Sequence, residues 1–76
     1  MITVKLYGLL RIESGIKEQT LEAASVKEIL AHLVQLGIAP EKLNGCVILI
    51  NGKNASKRSK LQPGDTVVLM SPVAGG

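Results

Sequence analysis

The sequence predicts an α+β fold in which one helix covers one face of a single mixed β-sheet of four to five strands. Three observations favour this fold. At 76 residues the chain has room for one hydrophobic core and too little for two. Its apolar residues recur in short runs near both ends and in the middle of the chain, as they do in β-strands. Between the runs near the start of the chain and the run in the middle, one longer segment repeats apolar residues every three or four positions, as in an amphipathic helix.

The first two strands are expected to form a hairpin. Ile2, Val4 and Leu6 alternate with polar neighbours, which places one apolar face of the first strand on the core. A second segment, residues 16–23, follows Gly15 and has its own alternating pattern. Because glycine is typical of turns, we expect the two segments to pair around the region that contains Gly15.

A helix is expected to begin after Ser25. Ser25 and Glu28 have the spacing of a capping box, in which the serine accepts from the amide of Glu28 and the Glu28 carboxylate reaches back. Gly37 can adopt the left-handed conformation that ends a helix, Ile38 can pack back against it, and Pro40 prevents continuation. Five apolar residues between these ends form a single predicted stripe: Val26, Ile29, Leu30, Leu33 and Val34.

Three more strands complete the predicted sheet. Residues 47–50 are apolar on both faces, as expected for a central strand. Asn51-Gly52 suits a type I′ turn, so the polar segment 53–60 should begin with a short returning edge strand. Pro63-Gly64 suits a type II turn before the last strand, residues 66–70. The first and last strands both have apolar faces in a chain too short for two sheets, so we expect them to pair in parallel at the sheet centre, which is the β-grasp arrangement.

Composition excludes several classes of function. The net charge is only +3 and Tyr7 is the one aromatic residue, so we expect no nucleic-acid partner. The single cysteine, Cys46, leaves no partner for an intramolecular disulfide or thiolate cluster and fits a reducing cytoplasm. His32 has no second ligand at metal-binding spacing, so no metal site is expected. The longest apolar run, residues 47–50, is far below the ~20 residues of a membrane span, which predicts a soluble, cytoplasmic protein without a membrane partner.

The sequence ends with Ser71-Pro72-Val73-Ala74-Gly75-Gly76. We expect a domain over residues 1–70 and a flexible tail over residues 71–76. The two glycines lack the Cβ atoms that would obstruct a narrow channel. Pro72 fixes its own φ and restricts the residue before it, which should project the tail away from the sheet. Six extended residues reach roughly 20 Å, enough to enter a buried site in a partner.

This architecture and this ending resemble the ubiquitin-like sulfur carriers of the MoaD/ThiS family, and within it most closely the small subunit of molybdopterin synthase. The likeness runs along the whole chain. Residues 4–11 are similar to the first strand and turn of that family, Ile50-Asn51-Gly52 to its central hairpin, and residues 64–76 to its last strand and tail. The related carrier of thiazole synthesis shares the fold and the terminal Gly-Gly but generally lacks the Pro-Val-Ala approach.

The resemblance implies the chemistry of the tail. In this family an ATP-dependent, ubiquitin-activating-like enzyme converts the C-terminal carboxylate into an acyl adenylate, which then receives sulfur as a thiocarboxylate. The reacting residues would be Gly76, through its carboxylate, and Gly75. The sequence itself has no Walker-type phosphate loop and no paired base and nucleophile. The chain would therefore bind no cofactor, since ATP is used by the activating enzyme in trans, and would not be catalytic alone.

The resemblance also implies two partners, the activating enzyme and a sulfur acceptor such as the large subunit of molybdopterin synthase. In the family the last strand usually has a bulky aromatic residue where this chain has Met70. The positions that match family contacts with the larger subunit are Tyr7, Arg11, Met70, Pro72, Val73 and Ala74.

Other functions use the same features. The chain could carry sulfur for thiamine thiazole or for another sulfur-transfer pathway, with identical chemistry and a different acceptor. It could be a ubiquitin-like protein modifier that forms isopeptide bonds through Gly76, or a binding module with an inert tail. The basic segment from Lys53 to Lys60 is either a solvated sheet edge or a docking patch for an acidic partner.

Overall fold

The computed structural model describes residues 1–71. The predicted tail residues Pro72, Val73, Ala74, Gly75 and Gly76 lie outside the described residues. Within residues 1–71 the elements are β1 (Ile2–Tyr7), α1 (Leu9–Ser14), β2 (Glu18–Leu21), α2 (Val26–Gln35), α3 (Pro40–Leu43), β3 (Val47–Ile50), β4 (Lys53–Asn54) and β5 (Thr66–Met70). None of these helices has the length and apolar character that a bilayer crossing requires.

The five strands form one mixed sheet in the order β2-β1-β5-β3-β4. β1 and β5 run parallel, with Val4 opposite Val67 and Leu6 opposite Leu69. The other three strand pairs are antiparallel. The predicted parallel pairing of the first and last strands is therefore confirmed. β3 is flanked on both sides, as its apolar character predicts, although the middle of the sheet belongs to β5.

One face of this sheet and α2 share a single hydrophobic core. The core is aliphatic and contains no buried polar or charged side chain among the described residues. The sheet, α2 and the connecting segments all contribute to it, through Ile2, Val4, Leu6, Leu21, Ile48, Val67 and Leu69, through Val26, Ile29, Leu30 and Leu33, and through Leu10, Ile38, Leu43 and Leu61. Burial of this apolar surface, at roughly 25 cal/mol per Å², is the main force that holds α2 on the sheet.

The predicted cap of α2 is present with one difference. The Glu28 amide donates to Ser25 Oγ at 3.4 Å, as expected. The Glu28 carboxylate accepts from the amide of Ala24 at 3.3 Å, one residue earlier than in the standard capping box. Both bonds satisfy backbone amides at the start of the helix, so the function of the motif is retained.

The end of α2 follows the predicted pattern. Gly37 has a φ of 108°, its amide donates to Val34 O, and the amide of Ile38 donates to Leu33 O. This is a Schellman motif, and the buried Ile38 makes the hydrophobic contact that often accompanies it. Val34 corrects the predicted stripe: its side chain is 38% exposed, because at 3.6 residues per turn it falls at the edge of the buried face.

Two short helices were not predicted. α1 occupies the region expected to be the turn between β1 and β2, and it buries only Leu10. α3 starts with Pro40 at its first turn and buries only Leu43. Helices of four to six residues are too short to show a helical period, so the sequence gives no sign of them. β2 spans Glu18–Leu21, inside the longer predicted segment 16–23.

The predicted hairpin turn after β3 is confirmed, since Asn51 and Gly52 both have positive φ angles, 51° and 84°. Asn51 also binds the start of β5. Its side chain accepts from the amide of Thr66 at 3.0 Å and donates to Asp65 Oδ1 at 2.9 Å. The other Asp65 oxygen accepts from the amide of Gln62 at 2.9 Å. These two donors, the amide of Gln62 first, lower the pKa of Asp65.

Acid should weaken the fold partly through Asp65. Its folded-state pKa lies below the ordinary value of 3.8, so the carboxylate stabilises the fold above that pH and loses this contribution as the pH falls through the folded-state pKa. We expect the urea midpoint to drop between pH ~5 and ~2, and to drop less in Asp65→Asn. Glu41→Gln, at an exposed position, is the matched control. An identical drop in Asp65→Asn and Glu41→Gln would contradict this role.

Candidate functional site

The end of β5 lies against the start of α1. Because β1 and β5 are parallel, they finish at the same edge of the sheet, with Tyr7 opposite Met70. Ser71 follows Met70 and directly precedes the predicted tail. The amide of Leu9, the first residue of α1, donates to Ser71 Oγ at 2.8 Å. The residue before the tail is thus held by a hydrogen bond to a neighbouring element.

A strip of apolar side chains crosses the sheet face opposite the core and ends beside Ser71. We call it the open-face strip, and its members are Tyr7, Val47, Leu49, Val68 and Met70. The strip is built by register: Tyr7, Met70 and Val47 form one row, and Val68 and Leu49 form the next. Tyr7 and Val47 are each 40% exposed. Contiguous exposed apolar surface of this kind is typical of sites where another molecule binds.

The structure brings together two of the predicted contact residues and places a third on a neighbouring helix. Tyr7 and Met70 lie opposite each other on adjacent strands. Arg11 is exposed on α1, an element that sequence reasoning did not foresee. Its assignment to the same contact surface stays a prediction.

Sequence reasoning missed three members of the open-face strip: Val47, Leu49 and Val68. The signal was present, because β3 and β5 are apolar at consecutive positions. Consecutive apolar residues predict a central strand of the sheet, and they do not show which of its two faces is covered. In the structure only one face is covered by the rest of the described chain, so the second set of apolar residues is left partly exposed.

Cys46 lies just before β3 and is partly buried. Burial raises the pKa of its thiol, against the smaller opposing effects of a backbone hydrogen bond and the charge of Lys57. A raised pKa keeps the thiol protonated at neutral pH, and the thiolate is the nucleophilic form. Cys46, which also packs against the hydrophobic core, is therefore poorly suited to relay sulfur.

A shallow cleft of about 220 Å³ lies beside Ser71, between α1 and α3. Its polar side chains include Glu13 and Lys42, which pair with each other. Among the residues that the structure describes, the surroundings of Ser71 offer no histidine or cysteine and no base hydrogen-bonded to a nucleophile. The sequence continues from Ser71, at this end of the domain, into the predicted tail.

Comparison with known families shows to which family this chain belongs. The sequence matches the ThiS family over residues 4–76. The chain belongs to the ThiS family. The resemblance that the sequence itself suggested is therefore confirmed, and the match extends from Val4 in β1 through β5 to the end of the predicted tail. No curated protein sequence matched the chain.

Solved structures similar to this ThiS-family chain come from several systems. A chain in the complex of subunits 1 and 2 of molybdopterin-converting factor from Helicobacter pylori is 26% identical, with a TM-score of 0.74 over 99% of this chain and 97% of that chain. SAMP1 from Haloferax volcanii is 25% identical, with a TM-score of 0.80 over 99% and 98%. A chain in the BexX/CysO complex from Amycolatopsis orientalis is 25% identical, with a TM-score of 0.71 over all of both chains.

These relatives confirm the β-grasp fold and place the chain among ubiquitin-like sulfur carriers and modifiers. Two of the three similar chains were solved in complex with a partner protein. In this ThiS-family chain, the partly exposed open-face strip lies beside Ser71, the residue that precedes the predicted tail.

Proposed function

We propose that this chain is a sulfur carrier whose Gly76 carboxylate is converted into a thiocarboxylate. The observation that carries the proposal is the family match, which continues through the last two residues, Gly75 and Gly76. The packed part of the domain supports it, because the parallel strand β5 delivers the chain to the edge of the sheet beside a partly exposed apolar surface.

A carboxylate is a poor electrophile, so sulfur transfer needs an activation step. In the proposed reaction a Gly76 carboxylate oxygen attacks the α-phosphorus of ATP, and pyrophosphate leaves. Hydrosulfide, or a sulfur donor equivalent to it, then attacks the acyl carbon. The carbon–oxygen bond to AMP breaks, AMP leaves with the bonding electrons, and the thiocarboxylate forms with loss of a proton.

The sequence indicates which part of the proposed reaction this chain would perform and which part an activating enzyme would perform. The sequence has no glycine-rich phosphate loop of the Walker type, so a ubiquitin-activating-like enzyme would bind ATP and form the adenylate. Glycine at positions 75 and 76 would let the chain end enter a narrow active site without steric conflict. This chain would bind no cofactor and would supply the substrate group.

Intact-mass measurement tests the proposal. The chain is incubated with the activating enzyme, ATP and a sulfide donor, and we expect one terminal oxygen to be replaced by sulfur. The same mixture without ATP is the control and should leave the mass unchanged. An unchanged mass with ATP, in the presence of an enzyme that loads another carrier, would contradict the proposal.

We further propose molybdopterin synthesis as the destination of the sulfur, with the chain acting as the small subunit of molybdopterin synthase. Two observations favour this pathway: the similarity to a chain of the Helicobacter pylori molybdopterin-converting factor complex, and the Pro72-Val73-Ala74 approach to the terminal glycines. Complementation of strains that lack either the molybdopterin or the thiazole sulfur carrier separates the two pathways. Growth restored only in the thiazole strain would overturn this assignment.

A protein-modifier function is the second candidate, favoured by the similarity to SAMP1. It predicts isopeptide bonds between Gly76 and lysine side chains of other proteins. Detection of such conjugates by mass spectrometry of cell extracts, together with absence of the thiocarboxylate form, would favour the modifier over the carrier.

The open-face strip is the proposed contact surface for the sulfur acceptor. We expect Val47→Asp to weaken acceptor binding by roughly 30-fold or more, because about 2 kcal/mol is lost when a charge is placed within an apolar contact. Thr20→Asp is the matched control, since Thr20 is exposed and pairs with Thr3 on the same face, away from the strip. Titration calorimetry would measure both. Equal affinities for the two variants would rule out the strip as the contact.

A further inference from the structure

The start of α1 has no cap from its own segment. Gly8 occupies the N-cap position and has no side chain, and the first amides of a helix, such as that of Leu9, lack the carbonyl partner that a preceding turn would supply. One of these amides, that of Leu9, instead donates to Ser71 Oγ at 2.8 Å, across 62 positions of sequence. The start of α1 and the end of β5 are therefore joined directly.

Gly8 sets how closely these two segments approach. A Cβ atom at position 8 would lie 2.7 Å from Ser71 Oγ and 3.6 Å from the Ser71 carbonyl oxygen. The first distance is too short for a real Cβ contact. Gly8 also has a φ of 68° and a ψ of −144°, close to a region that is essentially restricted to glycine. Another residue at position 8 would therefore strain the backbone and displace the Ser71 hydroxyl.

Both sides of this contact are anchored. On one side β5 is paired with β1 as far as Met70. On the other side α1 is fixed by Leu10, whose side chain is buried in the core. Pro72 follows Ser71 in sequence, and a proline disfavours helical backbone at the residue before it. The backbone at Ser71 thus has few conformations open to it.

We propose that Ser71 and Gly8 are positioning residues, which together fix the direction in which the tail is presented to the activating enzyme. The inference rests on the proposed function, because direction matters only if the tail must enter an active site. If the backbone at Ser71 is already fixed, less conformational freedom is lost when the tail enters the active site. If about one residue at the start of the tail became free to move, the apparent affinity of the activating enzyme for the chain should fall roughly 5- to 30-fold.

Ser71→Ala tests the inference, because it removes the acceptor and leaves both glycines of the tail in place. We expect the KM of the activating enzyme for the chain to rise roughly 5- to 30-fold while kcat stays within about twofold. The amide of Leu9 should exchange its hydrogen faster in the free variant. Ser71→Thr retains the hydroxyl and should restore both the KM and the slow exchange.

Ser14→Ala is the matched control. Ser14 lies at the other end of α1, where its hydroxyl donates to Leu10 O and accepts from the amide of Ile16, so the substitution loosens the same helix without touching Ser71. An unchanged KM in Ser71→Ala, or an equal rise in Ser14→Ala, would overturn the inference and leave the proposed function intact. If the wild-type chain takes no sulfur from an active enzyme, the proposed function fails and the inference fails with it.

Discussion

Deleting Gly75 and Gly76 should abolish sulfur loading and leave the fold intact. The core residues that the structure describes extend no further along the chain than Leu69, so we expect the urea midpoint to stay at the wild-type value. Loading should fail for two reasons. The chain end would fall short by about 7 Å, at 3.3–3.6 Å per residue, and the new terminal residue, Ala74, would bring a Cβ atom next to the reacting carbon.

Intact mass after incubation with the activating enzyme, ATP and sulfide measures this loss. The full-length chain in the same preparation is the control for enzyme activity, and the urea midpoint is the control for folding. Loading of the shortened chain at the wild-type rate would show that the two glycines have no part in the chemistry.

Leu69→Ala should cause the largest loss of stability of any single truncation in the sheet. Leu69 is fully buried in the central strand β5, between Leu6 of β1 and Ile48 of β3, which are also buried. Removing a buried leucine side chain costs about 2–5 kcal/mol, since transfer energy is lost and a cavity remains. A domain of this length has about 4–11 kcal/mol in total, so the variant should lose a large fraction of its stability.

Equilibrium urea unfolding would measure the free energy of unfolding of Leu69→Ala. Ile12→Ala is the matched control, because Ile12 is 75% exposed on α1 and its truncation should change stability by no more than about 0.5 kcal/mol. If Leu69→Ala changed the free energy of unfolding by no more than about 0.5 kcal/mol, β5 would not be the centre of the core.

Local patterns were sufficient to predict most of the fold. The alternation in β1, the three-and-four spacing in α2 and the turn residues Asn51-Gly52 each depend on a few neighbouring positions, and each is confirmed. The short helices α1 and α3 have one buried residue apiece, so they leave no periodic trace in the sequence. Val34 shows the same limit, because a stripe predicts which side of a helix is apolar and not where its buried edge falls.

The candidate site was less accessible to prediction, because it depends on contacts between distant segments. The resemblance suggested Tyr7 and Met70, and the parallel register of β1 and β5 explains why they meet. The contact between Gly8 and Ser71 spans 63 positions and involves a glycine with no side chain to reveal it. The exposure of Val47 was not predicted, because an apolar residue in a strand gives the same sequence pattern whether its side chain is buried in the core or partly exposed on the other face.

Replacing the Gly76 carboxylate with a carboxamide tests the proposed chemistry most directly. The two chains have the same sequence and differ only at the group that ATP is proposed to activate. After incubation with the activating enzyme, ATP and a sulfide donor, the wild-type chain should gain one sulfur atom in place of oxygen, and the carboxamide should keep its mass. Equal gain of sulfur by both chains would contradict activation at the terminal carboxylate.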